Sequence, residues 1–149
     1  MDADVLAIVR SHGFKESFSA TATDEADRLS KENIEKEIRK RSDFRSLPTI
    51  TIDGDDAKDF DDAVSLETFA DGYVLYVHIA DVSHFVRPGS AVDREALERT
   101  TSVYLPNVVL PMLPESISNG CCSLVEDEDR LPLTAVIKLD KTGKVTETD

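Results

Sequence analysis

Two helical periodicities ahead of Pro48, and a series of apolar or β-branched runs joined by turn residues behind it, predict an α+β chain. Two N-terminal helices should lead into a mainly antiparallel sheet with one or more further helices. A third observation sets the scale: 149 residues make one domain, or part of a larger one.

The first helix is expected over residues 2–12, where Val5, Ile8, Val9 and His12 share one stripe and Gly13 is a natural stop. Residues 14–22 read as a connection. A second, long and polar helix is expected from Thr23 to about Arg41, with Ala26, Leu29, Ile34 and Ile38 as its few apolar anchors. Leu47-Pro48 closes this region, because a residue before proline is pushed out of the helical range. Residues 49–53 and 63–67 then read as strands. Tyr73 to Ala80 is the strongest strand, an apolar run so unbroken that burial on both faces is expected. The turn Ala70-Asp-Gly72 before it predicts a hairpin. Ser90 to about Arg99 is a helix, with Ser90 as cap and Asp93 as the acidic partner of a capping box. Ser102 to Leu105 is extended and leads into a loop punctuated by Pro106, Pro111 and Pro114. Residues 132–139 form a last full strand. Asp140 to Gly143 is turn chemistry, and the alternation from Lys144 to Glu147 starts a hairpin partner, so the natural protein is expected to continue past Asp149.

The composition is globular, 40% apolar and 32% charged, with 17 basic and 30 acidic residues for a net charge of −13. Taken alone, that charge argues against a nucleic-acid-binding surface. It leaves room for a nucleic-acid enzyme whose acidic groups hold metal ions. One segment runs the other way: Lys36, Arg39, Lys40, Arg41 and Arg45 outnumber Glu37 and Asp43. It reads as a solvated helix face with charge pairs. No run approaches 18 apolar residues and no signal-peptide core is present, so a cytoplasmic protein is expected. Cys121 and Cys122 are adjacent and too few for a structural zinc site, so both should be reduced and structural.

Six aspartates crowd into ten residues: Asp53, Asp55, Asp56, Asp59, Asp61 and Asp62. Two carboxylates about 5 Å apart repel by roughly 3 kcal/mol at an effective dielectric of 20. The cluster is therefore either solvated or neutralised by a cation, and strand-like flanks favour the second. A calcium loop of the EF-hand type fails, since Lys58 stands where its glycine belongs and Val64 where its last ligand belongs. A functionless acidic turn and a two-metal phosphoryl-transfer site remain. The latter needs several carboxylates around one or two Mg²⁺ ions, with Phe60 pointing away as an anchor.

The string Thr51-Ile-Asp-Gly-Asp-Asp-Ala-Lys-Asp-Phe-Asp-Asp-Ala63 closely resembles the signature of the ribonuclease II / ribonuclease R family, whose catalytic region is the RNB domain. The resemblance runs on through Val77-His-Ile-Ala-Asp-Val-Ser-His84, Thr101-Ser-Val-Tyr-Leu-Pro106, Pro111-Met-Leu-Pro114 and Ser118-Asn-Gly-Cys-Cys-Ser-Leu124. It covers about residues 45–145. It implies a partial RNB domain over 47–149, with 1–46 as a helical connector from preceding RNA-binding barrels. The implied activity is a processive 3′→5′ exoribonuclease that hydrolyses single-stranded RNA to 5′-nucleotides with Mg²⁺, or Mn²⁺ in its place. By position, Asp53, Asp59, Asp61 and Asp62 match the family's active-site aspartates. Asp53 and Asp62 would hold a metal directly, Asp59 would support that ion, and Asp61 would serve a second metal or the attacking water. Asp55 and Asp56 fall at variable spacer positions. Tyr104 matches an aromatic that stacks on a base near the 3′ end; considered alone it reads as a buried strand residue. His78, Asp81 and His84 could be drawn as a metal triad, but are read as structural. No chemistry attaches to the Ser118–Leu124 string. Family members are several times longer and carry a second aromatic clamp, a phosphate-contacting arginine and a basic channel outside the matched part. This chain alone is therefore expected to be inactive or a very poor nuclease. The alternative is a non-catalytic metal- or RNA-binding module that keeps the acidic motif.

Overall fold

A computed structural model describes residues 2–55 and 57–149. The chain divides into two compact units, each assembled from separated stretches: residues 1–32 with 83–121, and residues 33–82 with 122–149.

The first unit is mainly helical. Helix α1 (Ala3–Ser11) is capped by Asp2, and Gly13 beyond it adopts φ +71°. Helix α2 (Ala20–Leu29) begins at Ser19, whose hydroxyl accepts from Ala22 N–H. The long second helix expected to reach Arg41 is in fact broken. It stops at Leu29, and a four-residue helix α3 (Glu35–Ile38), in the other unit, follows after Asn33 accepts the Glu35 N–H. Asparagine side chains compete well for backbone donors in this way. Short helix α4 (Val82–Phe85) starts at a crossing between units, and α5 (Ala91–Arg99) follows. Ser90 caps α5 as expected, but Asp93 accepts from Gly89 N–H at 2.7 Å. Glu25 on α2 takes a further α5 donor, Val92 N–H, at 2.8 Å. Val9, Ala22, Ala26, Leu29, Phe85, Val92, Leu110 and Ile117 form the apolar core of this unit.

One buried carboxylate crosses that core. Glu95 is 6% exposed and accepts from Ser19 N–H, Ser19 Oγ and Arg99 Nη2. Burial alone would raise its pKa; the Ser19 and Arg99 contacts outweigh it and hold the group below the ordinary carboxylate value. The Arg99 guanidinium lies 3.8 Å over the Phe18 ring. The proline-rich stretch is less irregular than expected. Val103–Leu105 (β4) pairs antiparallel with Val108–Leu110 (β5), and a kinked π-type helix follows over Ser116–Cys121. Proline at the hairpin corner, Pro106, removes no ladder donor.

The second unit is a five-stranded antiparallel sheet in the order β1-β2-β3-β6-β7. Its strands are β1 (Thr49–Ile50), β2 (Asp62–Phe69), β3 (Gly72–Ala80), β6 (Pro132–Asp140) and β7 (Val145–Thr148). Both expected hairpins form. One face buries Ala63, Ser65, His78 and Ala80, and Phe44 packs on Tyr76 and His78. A polar ladder crosses four strands on that face: Thr49 Oγ1 to Ser65 Oγ (2.8 Å), Ser65 Oγ to His78 Nε2 (3.1 Å) and His78 Nδ1 to Thr134 Oγ1 (2.9 Å). Burial lowers the His78 pKa and keeps the imidazole neutral. The opposite face is not covered. Ile50, Leu66, Ile79 and Leu133 are 47–59% exposed, so the expectation that the Tyr73–Ala80 run is buried on both sides does not hold within this chain. An apolar run states what a strand is able to bury, not what is there to bury it.

Candidate active site

The acidic stretch connects β1 to β2. Strand β1 ends at Ile50, three residues earlier than expected; in its register, Ile50↔Val64, a strand reaching Asp53 would overrun the start of β2 at Asp62. Residues 51–55 and 57–61 are irregular, and Ala57 N–H donates to Gly54 C=O. Asp53 is exposed on this loop and Asp55 sits at its turn; Asp56 lies outside the described residues. Asp59 is half-buried, Asp61 is exposed, and Asp62 opens β2 opposite Ile79.

The far end of the loop is firmly tied. Ser123, fully buried, donates from Oγ to Lys58 C=O at 2.8 Å and accepts from Phe60 N–H at 3.1 Å. Leu124 N–H donates to Phe60 C=O at 2.9 Å, and Ala80 N–H to Asp61 C=O at 2.9 Å. Phe60, half-buried, is held here through its backbone N–H and C=O.

Asp61 stands in the field of three other aspartates. Although Asp61 is exposed as a residue, its carboxyl is partly desolvated. That burial first, then the negative charges of Asp59, Asp62 and Asp53, raises its pKa above the ordinary value of 3.8. Asp61 thus feels the charge of each of the other three aspartates matched by sequence to the family's active site. Their hard oxygen donors and their uncompensated charge suit Mg²⁺. Among the described residues, however, no three acidic, histidine or cysteine side chains stand ready-converged on one metal position. Asp53, Asp61 and Asp62 are exposed.

The other candidates resolve one by one. Tyr104, in the first unit, is on β4 opposite Val109 and is 69% exposed, not the buried strand aromatic its neighbours alone suggested. His78 has both ring nitrogens occupied by hydroxyls. Asp81, 6% exposed, receives Arg41 Nη2 at 2.7 Å, and its N–H donates to Leu131 C=O. His84, in the first unit, lies 4.0 Å from Glu32 and edge-on to Phe85. The basic segment is charge-paired as expected: Lys40 and Arg41 reach Glu37, and Arg45 reaches Asp43 and Asp129. Arg45 pulls the Asp43 carboxyl down to about 2. Cys121 and Cys122 form no disulfide.

Residues 41–149, which include every member of the acidic cluster, match the RNB domain family. The chain belongs to the RNB domain family. It is 46% identical over 149 residues to ribonuclease R of Thermotoga maritima, covering 98% of this chain and 21% of that protein. It is 48% identical over 132 residues to ribonuclease R of Mycoplasmopsis pulmonis, covering 89% and 18%. Its fold superposes on Mycoplasma genitalium RNase R in complex with ribose methylated single-stranded RNA with a TM-score of 0.91, at 35% identity over 98% of this chain and 23% of that one. The same protein in complex with double-stranded RNA gives 0.92. The chain thus spans about a fifth of the length of the relatives it matches, and its helices and antiparallel sheet are part of an RNB fold. Sequence reading left Ser123 unmarked. Its place in the Ser118–Leu124 string was the one available signal, and that string does not say what the hydroxyl touches.

Proposed function

We propose that this chain is the N-terminal part of the catalytic domain of a Mg²⁺-dependent 3′→5′ exoribonuclease that hydrolyses single-stranded RNA to 5′-nucleotides. The observation that carries the reading is the coupled carboxylate set, Asp61 with Asp59, Asp62 and Asp53, lying inside the RNB match. Ribonuclease R relatives, and a neighbour solved with RNA, supply the substrate class. Asp53 and Asp62 would hold one ion, Asp59 would support it, and Asp61 would serve a second ion or the attacking water. Ions so held supply an activated water and charge neutralisation at the leaving oxygen. Tyr104, exposed, offers a face for a base to stack on, an interaction worth about 1–3 kcal/mol and indifferent to sequence. The rest of the RNB domain and RNA-binding barrels would complete the protein. Without them the phosphate-contacting arginine and basic channel implied by the family resemblance would be missing, and loss of such donors lowers rates by orders of magnitude, so by itself the chain should be inactive or nearly so.

The test is a chimera in which this chain replaces the matching span of Thermotoga maritima ribonuclease R. With 5′-labelled single-stranded RNA and Mg²⁺, shortening from the 3′ end with mononucleotide release is expected. Asp61→Asn should slow it by about 100-fold or more. A folded chimera without release, or one indifferent to Asp61→Asn, would refute the reading. The non-catalytic alternative, a metal- or RNA-binding module, is supported by the absence of a ready-converged set of three ligands among the described residues, and predicts Mg²⁺ or RNA binding by a chimera that never cleaves.

A further inference from the structure

We propose that Ser123 is a positioning residue for the acidic site: its hydroxyl sets the backbone at Asp59 and thereby the direction in which that carboxylate meets a divalent cation. The inference rests on the proposed metal site and adds a residue to it.

The geometry is specific. Lys58 C=O belongs to the peptide plane before the Asp59 Cα, and Phe60 N–H to the plane after it. The Ser123 hydroxyl donates to the first at 2.8 Å and accepts from the second at 3.1 Å. The φ and ψ angles of Asp59 are the rotations relating those two planes, so a single hydroxyl clamps both. A hydroxyl suits this task because it is donor and acceptor at once. Ser123 is itself immobilised: it is 0% exposed, and its carbonyl accepts from Arg130 Nε at 2.8 Å. Its neighbour Leu124 then takes the Phe60 carbonyl at 2.9 Å. Asp59 thus sits in a stretch without strand pairing, yet on a backbone held from a separate segment of the chain. A buried serine that merely satisfied itself would need one partner anywhere. This one spends both capacities astride an aspartate of the site.

Loss of a partner that orients a metal ligand typically weakens metal binding about 10–100-fold. The experiment is a Mn²⁺ titration of the 149-residue chain, read by electron paramagnetic resonance of the free ion. Ser123→Ala is compared with Ser65→Ala, which removes another buried hydroxyl of the same unit away from the loop. Ser123→Ala should weaken binding about tenfold or more while Ser65→Ala leaves it within about twofold. Equal losses in the two variants, or no loss in Ser123→Ala, would reduce Ser123 to a packing role and overturn the proposal. If Ser123→Ala does not fold, Ser123→Gly, which likewise removes the hydroxyl, takes its place, and unchanged affinity there overturns it equally. A measurement on the unsubstituted chain is independent of either variant: the Phe60 amide should exchange with solvent as slowly as the sheet amides, and a loop-like rate sinks the clamp. Failure of the unsubstituted chain to bind Mn²⁺ at all would instead sink the proposed metal site, and this inference with it.

Discussion

Asp61 carries the electrostatic signature of the acidic loop. Its folded pKa is raised, so between the ordinary carboxylate value of 3.8 and that raised value the folded state holds more protons than the unfolded one. By linkage, stability contributed at this site is greatest in acid and falls as pH rises through that window. Above it, the ionised Asp61 is a standing repulsion. Asp61→Asn should therefore raise the melting temperature of the metal-free chain at neutral pH, by about 2–4 °C per kcal/mol relieved, and the gain should vanish below about pH 3.8. Mg²⁺ should reverse the ranking, stabilising the unsubstituted chain more than the variant. Thermal melts across pH, with and without Mg²⁺, decide it; an Asp61→Asn chain that is no more stable at neutral pH would mean the four charges are fully screened by water.

At the level of elements, the β3–β6 pairing is the spine of the sheet, and one glycine lets it close. A Cβ built on Gly72 would stand 2.0 Å from Leu139 C=O, a backbone atom that cannot swing aside. Gly72→Ala should destabilise the chain by about 3 kcal/mol or more, measured by urea unfolding; a loss under about 1 kcal/mol would mean the strands separate freely there. Sequence reading found the β2–β3 hairpin through Ala70-Asp-Gly72 but took the glycine for turn chemistry alone, since the partner it makes room for lies 67 residues on. The same divide runs through the other elements. Helix α5 was legible because its cap, Ser90, is local. The break after Leu29 was not, because it falls in a polar stretch whose periodicity continues across it. Strand β5 was hidden among prolines, and the expected β1 ran on to Asp53, past the point where β2 could pair with it. At the site, the aspartates were legible as a string, whereas the segment that ties down their backbone comes from residues 123–124.

For the molecule as a whole, the net charge of −13 and the bare sheet face act against each other. Ile50, Leu66, Ile79 and Leu133 form an apolar surface of the kind that seldom stays in water, while like charge keeps copies apart. Salt at 0.15 M shortens the reach of that repulsion to about 8 Å. Sedimentation velocity should show self-association that grows with protein concentration and with salt. Leu133→Lys with Ile79→Lys should return the chain to a monomer. A monomer at every concentration and salt level would mean the face is covered in solution by something not apparent from its exposure.

The way the two units share the chain has a practical reach. The polypeptide passes between them after residues 32, 82 and 121, so no single cut, by a protease or by a gene designer, releases either one whole. The stretch recognised by family membership begins at residue 41, yet a protein trimmed to that boundary would discard α1 and α2. Val9, Ala22, Ala26 and Leu29 would leave the first unit's core, and Glu95 would lose both of its Ser19 donors while staying beside Arg99. The border drawn by ancestry and the border drawn by packing fall in different places, and only the second keeps the molecule in one piece.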